Sequence, residues 1–261
     1  MPLANAHNAH NAHNAHNAHN AHNAHNAHAG AAGGGTLSQA LLVARDAIAP
    51  LGRVAVVPPG PAAQTPLTRL RRIEPHFALA ALLSELSEGL ALTIEADTVT
   101  LRAPGGVLMT IRRPLDANFC AEAQLVAGYA ELRAERMPEI LAQTGQILPF
   151  FQSILPVASG WTPATLLLAA LAQDLATAMV QRVKLAFAVP RPHVLSPDIQ
   201  PVIGCPGHSA FPSGHACQAF ALAGLLGALN GAAPGPDAAS PLDAMAARIA
   251  VNRTVAGLHY P

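Results

Sequence analysis

Five side chains that can bind an anion or transfer a proton recur where predicted apolar helices begin or end: Lys184, Arg191, His215, Arg253 and His259. An oxyanion needs several donors around its oxygens, and one lysine, two arginine forks and backbone amides would supply them. One histidine would act as nucleophile or axial ligand and the other as acid/base on the opposite side. The alternative is that Lys184 and Arg253 only extend from helix ends towards solvent.

The stretch Phe-Pro-Ser-Gly-His at 211–215 predicts a turn followed by an apolar helix. Ser213 is a good N-cap, and Gly214 lets the backbone approach a bound group closely. The unpaired amides and the positive dipole end of a helix start together form an anion site, beside which His215 would be a proton donor. The same five residues also fit an ordinary helix start without an anion.

Three motifs, in this order and with these spacings, resemble the signature of one superfamily: Lys184-x6-Arg191-Pro192, Pro212-Ser213-Gly214-His215 and Arg253-x3-Gly257-x-His259. That superfamily contains the vanadium-dependent haloperoxidases and the type 2 phosphatidic acid phosphatases with their soluble acid phosphatase relatives. The resemblance covers about Asp116 to Pro261. It implies an all-α helical bundle with an oxyanion site among its helix ends.

The resemblance also implies a role for each matching residue. Those that would hold the oxyanion are Lys184, Arg191, Ser213, Gly214 and Arg253. His215 becomes the acid/base. His259 becomes the phosphohistidine nucleophile of a phosphatase or, in a haloperoxidase, the axial ligand of the metal in vanadate.

Fewer residues indicate which branch of the superfamily the sequence resembles. His208 lies seven residues before His215, and its position resembles that of the extra active-site histidine of bromoperoxidases, although a solvated loop histidine is the alternative. The first hypothesis is therefore a vanadium-dependent haloperoxidase that oxidises a halide with hydrogen peroxide and takes vanadate as cofactor. The second is a soluble acid phosphatase that cleaves phosphomonoesters without a cofactor.

One departure from the family pattern concerns His259. In the family an aspartate follows this histidine four residues on and orients its ring, whereas this sequence stops at Pro261. We therefore expect His259 to have an uncontrolled tautomer and position. The same observation predicts a truncated product, incomplete at its C-terminus, and leaves a third hypothesis: an inactive oxyanion-binding or metal-binding remnant.

Composition excludes several classes of partner. The 261 residues carry 15 basic and 15 acidic side chains, so no nucleic acid or anionic membrane is indicated. At 51% hydrophobic and 11% charged residues, the chain needs a check for membrane spans, and the best candidates are 165–180 and 216–229. The first is interrupted by two polar residues and the second is short, so both are predicted to be core helices.

The start of the chain shows no signal peptide, which favours the cytoplasm by default. Three cysteines without Cys-x-x-Cys spacing argue against a disulfide framework or a structural zinc site. We expect a small-molecule substrate and leave an oligomer open.

Three regions follow from the patterning. Residues 1–35 contain Asn-Ala-His repeated eight times and are predicted to be a disordered tail, either a repeat expansion without a role or a metal-handling segment. Residues 36–115 form an accessory region with a predicted β-hairpin at 92–112. Residues 116–261 form the helical domain.

Within these regions, apolar spacing and start signals predict helices at 37–45, 77–90, 121–136, 138–146, 163–187 and 213–229, and a last helix from Ser240. A long irregular loop at 190–212 separates two of them, and such loops are usually functional.

Overall fold

The computed structural model describes residues 65–231 and 240–261. The predicted histidine-rich tail and the predicted helix at 37–45 lie outside the described residues. The described part is mostly helical with one small antiparallel sheet, as the sequence predicted. The boundaries of the three predicted regions stay predictions.

The described part of the accessory region, from residue 65, starts with two helices, α1 (Pro66–Leu70) and α2 (Pro75–Glu88). Each has proline in its first turn, where the missing N–H costs nothing. Three strands follow: β1 (Ala91–Glu95), β2 (Thr98–Ala103) and β3 (Gly106–Arg112). They pair antiparallel in the order β1-β2-β3. The predicted single hairpin was therefore wrong in one respect, because the first predicted strand is two strands that turn at Ala96-Asp97.

The sheet packs against the end of the helical region that carries the candidate lysine. Val99 of β2 is fully buried in one cluster with Phe119, Val183 and Phe187. Directly after β3, the Nε of Arg113 donates to the carbonyl oxygen of Phe187 at 2.9 Å, which satisfies a backbone acceptor at a helix end. The accessory region thus braces the residues on either side of Lys184.

The segment after the sheet differs from the prediction. The expected helix at 121–136 is α3 (Phe119–Gly128), followed by a 3-10 turn at Tyr129–Leu132. The next helix, α4 (Arg133–Gly145), begins five residues before Pro138 and continues through it. Proline inside a helix removes one backbone hydrogen bond, and for that reason the sequence predicts a helix start at Pro138. Here α4 packs against the last helix of the chain, and this packing compensates for that loss.

The remaining helices are α5 (Leu148–Gln152), α6 (Pro163–Phe187), the one-turn α7 (Pro192–Leu195), α8 (Gly214–Leu229) and α9 (Pro241–Val255). The starts of α6, α8 and α9 match the prediction. The sequence did not predict α5 or α7, and α7 lies in the segment that was predicted to be an irregular loop. The apolar helix α8 packs against both α6 and α9. Leu222 and Leu226 of α8 are buried in a cluster with Ala169 of α6 and Ile249 of α9. This packing brings the ends of α6 and α9 and the start of α8 to one region.

One segment of the described residues, 163–195, is long and apolar enough to cross a membrane by length and composition. A core helix of a soluble protein passes the same test, so a single such segment is weak support for a span. Six residues of α6 are buried and most of its others are half-buried, so α6 is a packed helix along part of its surface only.

Candidate active site

The loop at 190–213 folds back onto the end of α6 and fixes Lys184. The Nζ of Lys184 donates to the carbonyl oxygen of Ser209 at 2.6 Å and to that of Ala210 at 3.4 Å. In return, the Oγ of Ser209 donates to the carbonyl oxygen of Lys184 at 2.7 Å. Lys184 is only 2% exposed, so it does not extend into solvent. Burial and the nearby Arg191 lower the pKa of Lys184 to about 7.

Arg191 joins three parts of the site through its guanidinium group. Its Nε donates to the carbonyl oxygen of His208 at 3.0 Å, and its Nη1 donates to the carbonyl oxygen of Leu258 at 2.9 Å. The same Nη1 lies 3.5 Å from the Nε2 of His259, and Nη2 lies 3.2 Å from the Nδ1 of His208. Burial lowers the pKa of Arg191. The predicted extra histidine, His208, therefore lies directly beside a predicted oxyanion-binding residue.

His259 is held by a backbone carbonyl. Its Nδ1 lies 2.7 Å from the carbonyl oxygen of Ala210, and the side chain is 6% exposed. A carbonyl oxygen can only accept, so Nδ1 carries the proton, and Nε2 has the lone pair, 3.5 Å from the Nη1 of Arg191. Burial, with Arg191 and Lys184 nearby, holds the pKa of His259 well below its ordinary value. The expectation of an uncontrolled tautomer was wrong, because the loop supplies an acceptor for Nδ1 in the carbonyl of Ala210.

Gly257 turns the chain from α9 towards the site. Its φ of +78° lies in the left-handed region, and a Cβ there would be 3.1 Å from the Nη2 of Arg133 and 3.3 Å from the Cα of Pro201. Any side chain would therefore be strained and crowded. This glycine lets His259 return to within reach of Arg191.

The start of α8 has the geometry expected of an N-terminal cap. Ser213 is extended, and its Oγ accepts from the amide of Ala216 at 3.4 Å. The first amides of a helix, including that of Gly214, have no carbonyl acceptor within the helix and are available to a bound group. The Nε2 of His215 donates to the backbone carbonyl oxygen of Gln143 at 3.1 Å, so any proton that His215 exchanges with a substrate is carried on Nδ1.

Arg253 lies in the last turn of α9 and is 1% exposed. Its Nη2 donates to the Oε1 of Gln143 at 2.8 Å and lies 3.5 Å from the carbonyl oxygen of Ile140. Its Nε is buried and has no hydrogen-bond partner among the described residues. Burial lowers the pKa of Arg253 to about 10, which still leaves it charged at neutral pH.

The site gathers positive charge without a compensating carboxylate. Within 65–231 and 240–261, none of the ion pairs involves Lys184, Arg191 or Arg253. Their donors contact carbonyl, amide and imidazole groups instead. Buried charge is costly unless it is paired, so an anion that entered would be bound strongly.

Sequence reasoning missed one contributor, Gln143 of α4. It lies outside the three motifs, and a single glutamine in a helix carries no recognisable signal. Its spacing of four residues after Glu139 places both on the face of α4 that meets α9. Only the packing of those helices shows that Gln143 contacts both His215 and Arg253.

These observations define a mostly helical protein with a buried, cation-rich site built to hold an oxyanion beside a neutral histidine. Residues 163–261 match the family model described as the PAP2 superfamily. The matched segment covers less than half of the chain but contains all three motifs, and it supports the superfamily of phosphatases and haloperoxidases. A search of curated proteins finds no match. The proposed truncation and the haloperoxidase branch stay predictions.

Proposed function

We propose that this protein is an oxyanion-handling enzyme and that its activity is that of a vanadium-dependent haloperoxidase. The observation that carries the first part is the burial of Lys184, Arg191 and Arg253, with the Nη1 of Arg191 3.5 Å from the Nε2 of His259. The second part is supported by the contact between Arg191 and His208, because a third histidine at the anion site is a feature of the peroxidase branch.

The residues present fit a tetrahedral oxyanion such as vanadate. The unpartnered Nε of Arg253 is a buried donor that an oxyanion oxygen would satisfy. Lys184, Arg191, Ser213 and the amide of Gly214 would hold the other oxygens, and the Nε2 of His259 would bind the metal of vanadate. Bound vanadate would supply the activation of hydrogen peroxide for halide oxidation.

The chain's own residues would control protons in that reaction. His215 keeps its Nε2 proton on the Gln143 carbonyl, which leaves Nδ1 to take or give a proton. The Nδ1 of His208 lies near both Arg191 and the carbonyl oxygen of Ser209, at 3.2 Å and 3.1 Å. Since the arginine donates and the carbonyl accepts, the His208 tautomer decides which of the two contacts is the hydrogen bond.

A phosphomonoesterase is the second candidate, and the locked tautomer of His259 favours it. The Nε2 lone pair would attack phosphorus, so that an N–P bond forms while the ester P–O bond breaks. The leaving oxygen would take a proton from the imidazolium form of His215. Water would then cleave the phosphohistidine, with His215 accepting a proton from that water.

Two assays on the purified protein separate these activities. The first measures bromide oxidation with hydrogen peroxide before and after loading with vanadate, and the second measures cleavage of a phosphomonoester without vanadate. We expect vanadate-dependent bromide oxidation that is lost in His259→Ala and reduced in His208→Ala. No bromination after vanadate loading would overturn the haloperoxidase proposal.

Phosphatase activity that survives His259→Ala would overturn the phosphohistidine route. His193, which lies near the Cys205 thiol, offers a matched histidine control. We expect His193→Ala to retain activity. An anion-binding protein with neither activity would match the remnant hypothesis.

A further inference from the structure

Gln143 is a buried polar residue that bridges two parts of the candidate site. Its backbone carbonyl accepts from the Nε2 of His215 at 3.1 Å, and its Oε1 accepts from the Nη2 of Arg253 at 2.8 Å. The side chain is 1% exposed. Gln143 therefore contacts the acid/base candidate and an oxyanion-binding arginine at the same time.

The orientation of the Gln143 amide follows from its neighbours. Its Oε1 also accepts from the Nδ2 of Asn252 at 3.2 Å. Both Arg253 and the Asn252 Nδ2 can only donate, so a flipped amide would place donor against donor. The oxygen must face these two donors on α9, and Nε2 takes the other terminal position of the planar amide.

The Nε2 of Gln143 is buried and has no hydrogen-bond partner among the described residues. A buried amide donor left unsatisfied is costly, and native structures rarely retain one without a reason. The other such atom in the described residues is the Nε of Arg253, on the residue to which Gln143 is hydrogen-bonded. Two unsatisfied donors on neighbouring residues, beside buried cations without a carboxylate, point to one absent acceptor.

We propose that Gln143 is a further oxyanion-binding residue, which orients Arg253 through Oε1 and donates an Nε2–H to the bound oxyanion. This inference rests on the proposed oxyanion site but not on which reaction the site performs. A glutamine suits this position because its oxygen satisfies Arg253 and its nitrogen offers a donor. A glutamate would present an oxygen to the anion instead.

Two substitutions test the direct contact, with inorganic phosphate and orthovanadate as probes and calorimetry as the measurement. Gln143→Glu keeps the acceptor for Arg253 and removes the donor, whereas Gln143→Leu removes both without adding charge. We expect both variants to lose about tenfold or more in affinity, with the larger loss in Gln143→Glu. Gln152→Glu is the matched control, because the Gln152 amide donates to the carbonyl of Val157 instead and should leave affinity unchanged.

The outcomes are distinct. A loss in Gln143→Leu alone would mean that Gln143 acts only through Arg253, and a loss in Gln143→Glu alone would mean that only the new charge acts. Either result overturns the proposal.

If circular dichroism shows that Gln143→Leu does not fold, the pH dependence of the affinity of Gln143→Glu decides. Its deficit should shrink as the pH falls, because a protonated carboxyl donates again, and a constant deficit would overturn the proposal. Wild-type protein that binds neither probe would instead refute the proposed oxyanion site.

Discussion

The Nδ1 of His259 lies 2.7 Å from the carbonyl oxygen of Ala210, so a backbone group in the loop before α8 orients the histidine at the end of the chain. The acceptor is neutral. A carboxylate at that place would stabilise the imidazolium form, whereas a carbonyl fixes the tautomer with less effect on basicity. Burial and the nearby Arg191 and Lys184 lower the pKa of His259 by more than the Ala210 carbonyl raises it, so His259 stays neutral, as a nucleophile or a metal ligand must be.

The tautomer of His259 can be measured directly. In the free protein near neutral pH, we expect Nδ1 to be protonated and Nε2 to be unprotonated in long-range ¹H–¹⁵N correlation spectra. His259→Gln identifies the resonances by their loss. His259 should also stay neutral at a pH where exposed histidines are charged, because burial and the two nearby cations oppose its protonation. A proton on Nε2 would contradict the structure.

Arg191 should not tolerate lysine. Its fork contacts the carbonyl oxygens of His208 and Leu258 and lies beside His259, and a single ammonium cannot reproduce this geometry. We expect Arg191→Lys to lower kcat/KM by about 10²-fold or more, the scale seen when one oriented donor to a transition-state oxyanion is lost. The exposed Arg182 provides the control, since Arg182→Lys should change kcat/KM little. Equal kcat/KM in the two variants would remove Arg191 from the site.

Lys184 gives the site a pH dependence whose sign is fixed by its lowered pKa of about 7. Below that pH the amine is already charged, whereas above it the binding of an anion must first take up a proton. Affinity for sulfate, which stays a dianion throughout, should therefore fall as the pH rises through 7, by up to about tenfold per pH unit. Calorimetry across this range should show the decline, and Lys184→Met should remove the part due to this lysine.

The same titration can be observed at one atom. Lys184 is the only lysine in the sequence, so ¹³C labelling at the lysine Cε gives a single lysine signal. Its midpoint should lie well below that of a solvated lysine and move to higher pH when sulfate is added, because a bound anion stabilises the ammonium form. A midpoint near 10.5 without sulfate would contradict the burial of this amine.

Much of the helical region was predictable because its signals are local. Thr162-Pro163 and Ser240-Pro241 mark helix starts that α6 and α9 follow, and Ser213 caps α8 through its hydroxyl. The three motifs also predicted that Lys184 and Arg191 share a site, and both side chains donate to neighbouring carbonyls of one loop, at Ser209 and His208.

The rest depends on contacts that no local pattern encodes. The turn at Ala96-Asp97 contains no glycine or proline, so an alternating run was predicted as one strand rather than two. Proline favours the first turn of a helix, so the sequence predicted a start at Pro138. The packing of α4 against α9, which the sequence does not reveal, accompanies a helix that continues through this proline. The same packing places Gln143 on Arg253, and the loop fold places the Ala210 carbonyl on His259.

Glu139 anchors the network behind Arg253 and should set part of the acid stability. Its carboxylate accepts from Arg248 at both oxygens and from the Nδ2 of Asn252 at 3.0 Å, and the hydrogen bond from Arg248 is the main cause that lowers its pKa to about 2. Because the folded pKa lies below the unfolded value, this stabilisation is present above about pH 4.5 and is lost as the pH falls towards 2.

We expect Glu139→Gln to lower the free energy of unfolding by about 1–2 kcal/mol at pH 7. This is less than the full pKa shift implies, because the Glu139–Arg248 pair is partly solvated. In urea titrations followed by circular dichroism, the difference in the free energy of unfolding between Glu139→Gln and wild type should narrow from pH 7 to pH 3. The control is Glu135→Gln, which changes an exposed carboxylate and should stay close to wild type. A difference that does not narrow would show that the ionised Glu139 contributes no net stability.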